Sequence, residues 1–317
     1  MQPELAALAG RHLDGFDRSA VAAAIDDWIN HRLGGEPEVL TRSREAYVAH
    51  HLARSLAAVS LLPHTPTRGK LLELGSGIYL MTFLAERLRN YDIDMVQYWG
   101  RPSGQYASAL TDVRTGALRT MPFREFNGEV EAFPYEDGSF DAILNCDTIE
   151  HVLCDPVHML AECHRVLKPG GVMVLTTPNV LRLDNVAKLL QGRNILDKYV
   201  LESASARHPR EYAPQEISRL LEWVGFDVAG LSTIDVTRSV LPRTARRLAT
   251  AGTRLFRAAA RFVGCEDGDP TQWRGEQIIL TARRARPANR DAPDFLYEAP
   301  GAAQHLIDAI YSGTVRS

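Results

Sequence analysis

Two histidines stand where an imidazole could exchange a proton with a ligand. His151 follows Glu150 shortly after an apolar run, and His208 lies in a long connection between predicted elements. Because imidazole titrates near neutral pH, either ring could act as a general base. His151 could instead only hold its own loop, and His208 could pair with Glu211. Asp147 together with these histidines offers metal ligands, but the spacing demands no metal and we predict none.

A glycine turn is the second feature that could bind a ligand. Residues 71–79 read Leu-Leu-Glu-Leu-Gly-Ser-Gly-Ile-Tyr, a buried strand that runs into a turn. Gly75 and Gly77 can take positive φ and carry no Cβ, so a ligand can approach the backbone and the amides of the next helix. Tyr79 stands near the place of a third glycine, so its ring must either cover the ligand or narrow the pocket. An ordinary strand-to-helix turn remains the alternative, since a lone Gly-x-Gly is weak evidence.

The elements that would position these residues alternate between strands and helices from Lys70 onward. The predicted strands are 70–74, 93–99, one before 129–131, 140–146, 172–178, one that starts at 226, and 277–282. This alternation predicts an α/β fold with a doubly wound, seven-stranded, mostly parallel sheet. In such a sheet the carboxyl ends of the strands meet at one edge, where ligands bind.

Further segments flank this region. Residues 1–66 are predicted to be a helical cap or an oligomerisation element, which would suit a homodimer; 67–284 would form the main domain and 285–317 a tail. His50 and His51 in the cap could face a site, although one solvated and one packed ring is the commoner arrangement. Residues 237–263 carry seven arginines among apolar residues, which predicts a basic amphipathic helix. It could contact an anionic membrane or an acidic substrate, but a solvated face is commoner.

Composition narrows the class of partner. A net charge of -3 with mixed signs argues against nucleic acid as the main partner. The four cysteines have neither metal-ligand nor disulfide-framework spacing, which favours a reduced, cytoplasmic protein. No window reaches the roughly 18 apolar residues of a membrane span, so we predict no transmembrane segment.

Downstream motifs carry a family resemblance. Residues 134–141 read Pro-Tyr-Glu-Asp-Gly-Ser-Phe-Asp, 150–151 read Glu-His, and 165–171 read Arg-Val-Leu-Lys-Pro-Gly-Gly. Following the glycine turn in this order, they resemble the class I S-adenosylmethionine-dependent methyltransferases of type 11, over about residues 70–282. A subgroup linked to glycan and natural-product pathways shares the Gly-x-Gly-x-Tyr pattern, the Thr-Thr-Pro-Asn run and the Arg-Glu-Tyr stretch.

The resemblance implies S-adenosyl-L-methionine as the cofactor and a Rossmann-like methyltransferase fold. The backbone of Gly75, Ser76 and Gly77 would pass under its methionine and ribose, which needs residues without bulk. Glu73 would orient the methionine end through water, or else cap the glycine turn. Tyr79 would then be the residue that covers the cofactor or narrows the acceptor pocket.

Two further pairs are implied at the ends of later strands. Glu129 would accept a hydrogen bond from the adenine amino group, and the backbone of Val130 would meet the ring. Asn145 and Cys146 would offer carbonyl groups to the amino group of the cofactor. These positions follow the third and fourth predicted strands.

One position departs from the family pattern. The second strand usually ends in an acidic residue that binds both ribose hydroxyls, whereas 97–99 read Gln-Tyr-Trp here. We predict that Gln97 or Tyr98 supplies a neutral contact instead. Asp92 and Asp94 are the rival candidates, although they lie at the start of that strand.

The implied reaction is methyl transfer, most simply to a hydroxyl of a small molecule or glycan. The protein must align the acceptor and remove its proton, for which His151 is slightly favoured over His208. Asp147, Arg210 and Tyr212 are the predicted acceptor contacts. A nitrogen or carbon acceptor is the alternative within this class. A non-catalytic scaffold that binds a partner through the arginine-rich helix is the alternative from another class.

Overall fold

The computed structural model describes residues 16–33, 38–77, 79–153, 155–196, 208–236, 251 and 274–297. The helices are α1 (Arg18–Asn30), α2 (Glu38–Ser60), α3 (Leu80–Leu88), α4 (Pro156–Val166), α5 (Leu183–Leu190) and α6 (Pro214–Val224). The strands are β1 (His31–Leu33), β2 (Gly69–Leu74), β3 (Tyr91–Gln97), β4 (Gly104–Asp112), β5 (Leu118–Glu125), β6 (Phe140–Cys146), β7 (Leu167–Pro178), β8 (Phe226–Ile234) and β9 (Gln277–Arg284). A 3-10 helix, Ile149–His151, follows β6.

The described strands form one mixed sheet whose centre is parallel. Its order is β1-β4-β5-β3-β2-β6-β7-β9-β8. The pairs from β5 to β7 are parallel, and the pairs at both edges are antiparallel. In the register of β2 and β6, Leu74 lies opposite Asn145. The glycine turn therefore lies beside the loop that follows β6, as the predicted doubly wound fold requires.

Helices cover both faces of the sheet. Leu71 and Leu144 pack in one apolar cluster with residues of α1, α2 and α3. Leu72 and Ile143, their neighbours in sequence, pack in the opposite cluster with residues of α4 and α6. Because successive side chains of a strand point to opposite faces, strands covered on both faces are apolar over nearly continuous runs. This explains the continuous apolar runs that predicted these strands.

The sheet has nine strands where the sequence predicted seven. Residues 104–125 form an antiparallel hairpin of β4 and β5, closed by a turn in which Gly116 has φ 73°. At the edge, β1 pairs with β4, so Leu33 belongs to a strand rather than to the end of a helix. β3 ends at Gln97, and Tyr98 and Trp99 lie in the loop beyond it. The hairpin is half exposed, with Pro122 inside β5, and it therefore lacks the apolar run that marks the central strands.

The described parts of the predicted cap and tail pack onto this sheet. Helices α1 and α2 share the apolar cluster of β2. In the tail, Arg290 donates to Glu162 on α4 at 2.7 Å, and Trp223 donates to the carbonyl of Asp291 at 2.8 Å. The domain boundaries at 66 and 284 remain predictions.

Two other expectations lie outside the described residues. These are the arginine-rich helix at 237–263, apart from residue 251, and most of the C-terminal tail. In the described ranges, every helix is too short or too polar to cross a bilayer.

Candidate active site

A cavity of about 470 Å³ lies at the carboxyl ends of β2 and β6. Its walls are formed by the glycine turn with the start of α3, one side of α2, the loop after β6 and His208, with Pro178, Val236 and Gln277 completing the lining. Strand ends and helix termini thus enclose the space in which the predicted base candidates and the predicted cofactor turn meet.

The two glycines of the turn play different roles. Gly75 has φ 74°, and a Cβ added there would lie 2.5 Å from the Oγ1 of Thr148. Thr148 cannot easily yield, since its hydroxyl hydrogen bonds to the carbonyl groups of Leu74 and Cys146. Gly77 does not have positive φ, and a Cβ added there would meet only Trp99, at 3.9 Å. Gly75 therefore serves the fold, and Gly77 leaves open space.

Tyr79 closes the turn as a wall of the cavity. It precedes α3 in the left-handed region, with φ 64° and ψ 2°. Its ring is buried in the apolar cluster, and its hydroxyl donates to Ser108 on β4 at 2.7 Å. The ring lines the cavity, which is the position it would need in order to cover a cofactor or narrow the pocket, as predicted.

Glu73 is a buried carboxyl group at the cavity. Thr82 on α3 donates to its Oε2 at 2.6 Å. Burial raises the pKa of Glu73 to about 7, against the opposing effect of the Thr82 hydrogen bond. This carboxyl is thus bonded to α3. The alternative prediction, that it caps the glycine turn, is not what the hydrogen bond shows. A nearby cation would favour its ionised form.

Helix α2 supplies a polar wall that the sequence reasoning largely missed. Tyr47, His50, His51 and Arg54 all line the cavity. His50 is exposed and the His51 ring packs 4.0 Å from that of Tyr47, which matches the expected solvated and packed pair. Burial, with help from Arg54, lowers the pKa of His51 to about 3. The i, i+3/i+4, i+7 spacing of these residues along the helix was the available signal.

Arg54 reaches across the cavity wall to Asp147. The two side chains form an ion pair, and Thr176 also donates to the Asp147 carboxylate at 3.2 Å. Asp147 has φ 49°, in the left-handed region. Burial raises the pKa of Asp147, and the Arg54 guanidinium opposes this effect. The predicted acceptor contact is thus bound to the N-terminal helix, although it still lines the cavity.

Both predicted base candidates line the cavity beside Glu150. The rings of His151 and His208 lie 5.0 Å apart, edge to face, and His208 Nδ1 lies 3.5 Å from Glu211. Glu150 is fully buried, and its Oε2 accepts from the hydroxyl of Thr177 at 3.0 Å. Burial and the Asp147 charge raise the pKa of Glu150. The three side chains offer ligand atoms within 4.8 Å of one another, which the sequence spacing did not indicate.

Three predicted cofactor contacts, Gln97, Tyr98 and Asn145, lie near the turn but outside the lining of this cavity. Gln97 is buried and donates to Ser76 at 3.3 Å, while its Oε1 has no hydrogen-bond partner. Tyr98 is exposed in the loop after β3. Asn145 is buried with both amide atoms unpartnered, and Cys146 lines the cavity.

The adenine contacts and their rivals lie elsewhere at the sheet edge. Glu129 is buried and accepts from the backbone of Asp155 at 3.3 Å, and the amide of Val130 donates to Asn127 at 3.1 Å. Asp92 and Asp94 pair with Lys70 and Leu72 toward the beginning of β2, away from the glycine turn. The structure thus keeps Gln97, and not these aspartates, next to the turn.

Glu125 is a further buried carboxylate that the sequence reasoning did not single out. It ends β5 and accepts from the backbone amides of Trp99 and Arg101, at 2.8 and 2.9 Å, and from the Arg101 side chain at 2.7 Å. These bonds hold the loop that places Trp99 opposite Gly77. An acidic residue at a strand end was the signal that could have found it.

Arg210 and Tyr212 do not line the cavity. Arg210 pairs with Glu216 at the start of α6 and is half exposed. Tyr212 is buried and forms an isolated backbone bridge with Asn179. Their contacts connect the segment before α6 to the end of β7. The acceptor role predicted for them therefore has no support from their position.

Comparisons with known proteins identify the central segment. Residues 72–175 match the family model described as a methyltransferase domain. A "Probable S-adenosylmethionine-dependent methyltransferase" of Mycolicibacterium smegmatis is 33% identical over 118 residues, which is 34% of this chain and 40% of the relative. A ubiquinone biosynthesis O-methyltransferase of Cereibacter sphaeroides is 34% identical over 110 residues, which is 35% of this chain and 41% of the relative.

These alignments span about two fifths of the length of the relatives. A solved methyltransferase of Thermotoga maritima, described as a "possible histamine N-methyltransferase", is 18% identical and aligns over 78% of this chain and 97% of its own, with a TM-score of 0.46. The matched residues run from β2 to β7 and include the glycine turn, Glu129 and Glu150-His151. Over residues 72–175, the chain matches the methyltransferase-domain family and is similar to S-adenosylmethionine-dependent methyltransferases.

Proposed function

We propose that the protein transfers a methyl group from S-adenosylmethionine to a hydroxyl oxygen of a small molecule or glycan. One observation carries the proposal: a single cavity joins the glycine turn and Glu73 to the imidazoles of His151 and His208. Cofactor-binding elements and groups that can accept a proton thus share one space. That is the arrangement that transfer to a hydroxyl requires.

The residues around the turn suit the cofactor. The open space at Gly77 admits a ligand against the backbone, with Trp99 as the facing wall. Gln97 Oε1 is buried without a hydrogen-bond partner and can accept from a ribose hydroxyl. The carboxyl of Glu73 suits the ammonium group at the methionine end. When bound, S-adenosylmethionine supplies an electrophilic methyl group on a sulfonium.

The imidazoles suit the acceptor side. His151 or His208 would hold the hydroxyl by a hydrogen bond and receive its proton as the oxygen attacks. His51 is a poor candidate for this role, because its pKa of about 3 leaves it a weak base. The Arg54 and Asp147 pair would fix the wall against which the acceptor lies.

The size of the cavity favours a small acceptor molecule, and the relatives favour oxygen as the methylated atom. A volume of about 470 Å³ must hold the methionine end of the cofactor as well as the acceptor. This leaves room for a small molecule or for the terminal unit of a glycan. Some of the relatives are ubiquinone biosynthesis O-methyltransferases, which supports oxygen rather than nitrogen or carbon. The free thiols of Cys146 and Cys163 suit the cytoplasmic location that we also propose.

Calorimetry and product analysis test this function. The full chain should bind S-adenosylmethionine with a stoichiometry of one. It should also release S-adenosylhomocysteine when mixed with a responsive member of a panel of phenols, catechols and sugars. Mass spectrometry of the product should place the methyl group on oxygen. If calorimetry up to high micromolar concentration detects no binding, the proposal is wrong.

A further inference from the structure

We propose that Glu150, His151 and His208 bind a divalent transition-metal cation in the cavity, and that this cation holds the acceptor hydroxyl. The three side chains come from the 3-10 helix after β6 and from the segment before α6. Binding of the cation is independent of the proposed function. Its role toward the acceptor rests on that function.

The donor atoms have the chemistry and the spacing of a metal site. One carboxylate and two imidazoles offer atoms within 4.8 Å of one another. Bonds of about 2.0–2.2 Å to nitrogen and oxygen place donors around one ion up to roughly 4.3 Å apart, so small rotations of the two imidazoles would close the site. Both imidazoles are only partly buried. Two histidines and a carboxylate favour ions such as Co²⁺, Fe²⁺ or Zn²⁺ over Mg²⁺, and they leave coordination positions open.

Glu150 points independently to a ligand. It is 0% exposed, and it lines the cavity. Its Oε2 accepts from Thr177, whereas its Oε1 is buried without any hydrogen-bond partner. Among the described residues no lysine or arginine forms an ion pair with Glu150, and the nearby Arg54 is paired with Asp147. A buried carboxylate oxygen without a partner is costly, and a bound cation would remove that cost.

The surroundings already orient His208 as a ligand. Its Nδ1 lies 3.5 Å from the Oε1 of Glu211, and Arg182 pairs with the same carboxylate at 2.5 Å. A histidine whose one nitrogen faces a carboxylate presents its other nitrogen to a metal. We infer that Nε2 of His208 faces the cation. Glu211 is thus a positioning residue for this ligand.

A cation at this place changes how the acceptor is activated. A hydroxyl bound to the cation has a lowered pKa, so its O–H bond breaks near neutral pH and the proton passes to solvent water in the open cavity. The oxygen then forms a bond to the methyl carbon while the carbon–sulfur bond of the sulfonium breaks. The imidazoles would act as ligands in place of general bases. Because several positions stay open, the suited acceptor carries two adjacent oxygens, as in a catechol or a vicinal diol.

Cobalt titration of the full, tag-free chain tests the site. After treatment with a chelator and desalting, added Co²⁺ should give d–d absorption bands that saturate at one equivalent and that Zn²⁺ abolishes. Glu150→Gln and His208→Ala should each lose these bands, while circular dichroism stays that of the wild type. Glu211→Gln should weaken binding by roughly 10–100-fold, as expected for a residue that orients a ligand. The matched control is His64→Ala, an exposed imidazole outside the cavity, which should leave the titration unchanged.

Separate measurements keep the two proposals apart. If S-adenosylmethionine binds and methyl transfer survives the chelator, while no stoichiometric Co²⁺ binding occurs, the metal site is wrong and the proposed function stands. If Co²⁺ binds but calorimetry shows no cofactor binding, the proposed function is wrong and the metal site stands. The site would also be overturned if a folded Glu150→Gln variant bound Co²⁺ as the wild type does. The same holds if His64→Ala lost Co²⁺ binding to the same extent as the ligand variants. Should Glu150→Gln not fold, His208→Ala and Glu211→Gln decide the question.

Discussion

Arg54 on helix α2 forms an ion pair with Asp147 at the end of strand β6, which joins the N-terminal segment to the centre of the candidate site. The side chains are 11% and 21% exposed, so the pair is largely shielded from water. Asp147 also holds a left-handed backbone conformation, with φ 49°. Helix α2 is therefore a structural part of the cavity.

Loss of Arg54 should destabilise the fold. Arg54→Met leaves the buried carboxylate of Asp147 without its partner, which typically costs about 3–5 kcal/mol. Urea denaturation at neutral pH would measure the change in the free energy of unfolding. Asn tolerates the left-handed region, so Asp147→Asn combined with Arg54→Met should recover much of the loss.

The control for this prediction is the exposed pair of Arg68 and Asp92, whose side chains are 63% and 66% exposed. Arg68→Met should change the free energy of unfolding by less than about 1 kcal/mol. An Arg54→Met variant as stable as Arg68→Met would show that the Arg54 pair contributes little.

The two glycines of the turn should respond differently to alanine. Gly75→Ala combines φ 74° with a contact of 2.5 Å to Thr148, so it should lower the melting temperature markedly. Gly77→Ala meets only Trp99 at 3.9 Å and should leave the melting temperature near that of the wild type. Its methyl group would occupy the space proposed for the cofactor, so calorimetry should show S-adenosylmethionine binding weakened by at least about tenfold. Equal cofactor affinity in Gly77→Ala and the wild type would place the cofactor elsewhere.

Glu73 should make cofactor binding depend on pH. Its pKa of about 7 lies above the ordinary value of 4.5, because burial disfavours the charged form. As pH rises through 7 the carboxyl ionises and attracts the cofactor ammonium, so the dissociation constant should fall by roughly tenfold between pH 6 and 8. Calorimetry at several pH values measures this change. Glu73→Gln should bind more weakly above pH 7 and show no such dependence; a wild-type profile in that variant would assign the titration to another group.

Ionisation of Glu73 should also make folding stability depend on pH, in the direction opposite to cofactor binding. A carboxyl group whose folded pKa is raised stabilises the protein fully below its unfolded pKa, near 4.5, and this stability is lost as pH rises through about 7. Glu73→Gln should therefore be more stable than the wild type above pH 7. Denaturation curves at pH 5 and 8 provide the comparison.

Glu162 should couple acid stability to the docked tail. Burial would raise its pKa, but hydrogen bonds from Arg165 and Arg290 outweigh this and lower it to about 2. The resulting stability is present above the unfolded value of 4.5 and is lost as pH falls toward 2, with a magnitude of up to about 3 kcal/mol. Glu162→Gln should be less stable than the wild type at pH 7 and should lose less stability between pH 5 and 3. Parallel pH profiles of the two proteins would contradict the prediction.

The central fold follows from local patterns, and its edges do not. The strands at 70–74, 140–146 and 172–178 were predictable because both faces are largely buried and most of their residues are apolar. The helix that starts at Pro156 was predictable because Asp155 caps it, accepting from the amide of Val157 at 2.8 Å. The hairpin β4–β5 is half exposed, and β1 is a strand of three residues whose partner β4 is distant in sequence, so their residue types alone did not mark them.

The sequence by itself determined the methyltransferase domain and the place of its glycine turn, because a buried strand, a glycine with positive φ and a helix start depend on neighbouring residues. Only the tertiary structure decided the composition of the cavity. It brought His50, His51 and Arg54 from α2, and His208 from the segment before α6, to Glu150 and His151 after β6. It also left Arg210 and Tyr212 outside, and one oxygen of Glu150 without a partner. These outcomes depend on how distant segments pack across the sheet edge, and no local pattern encodes that packing.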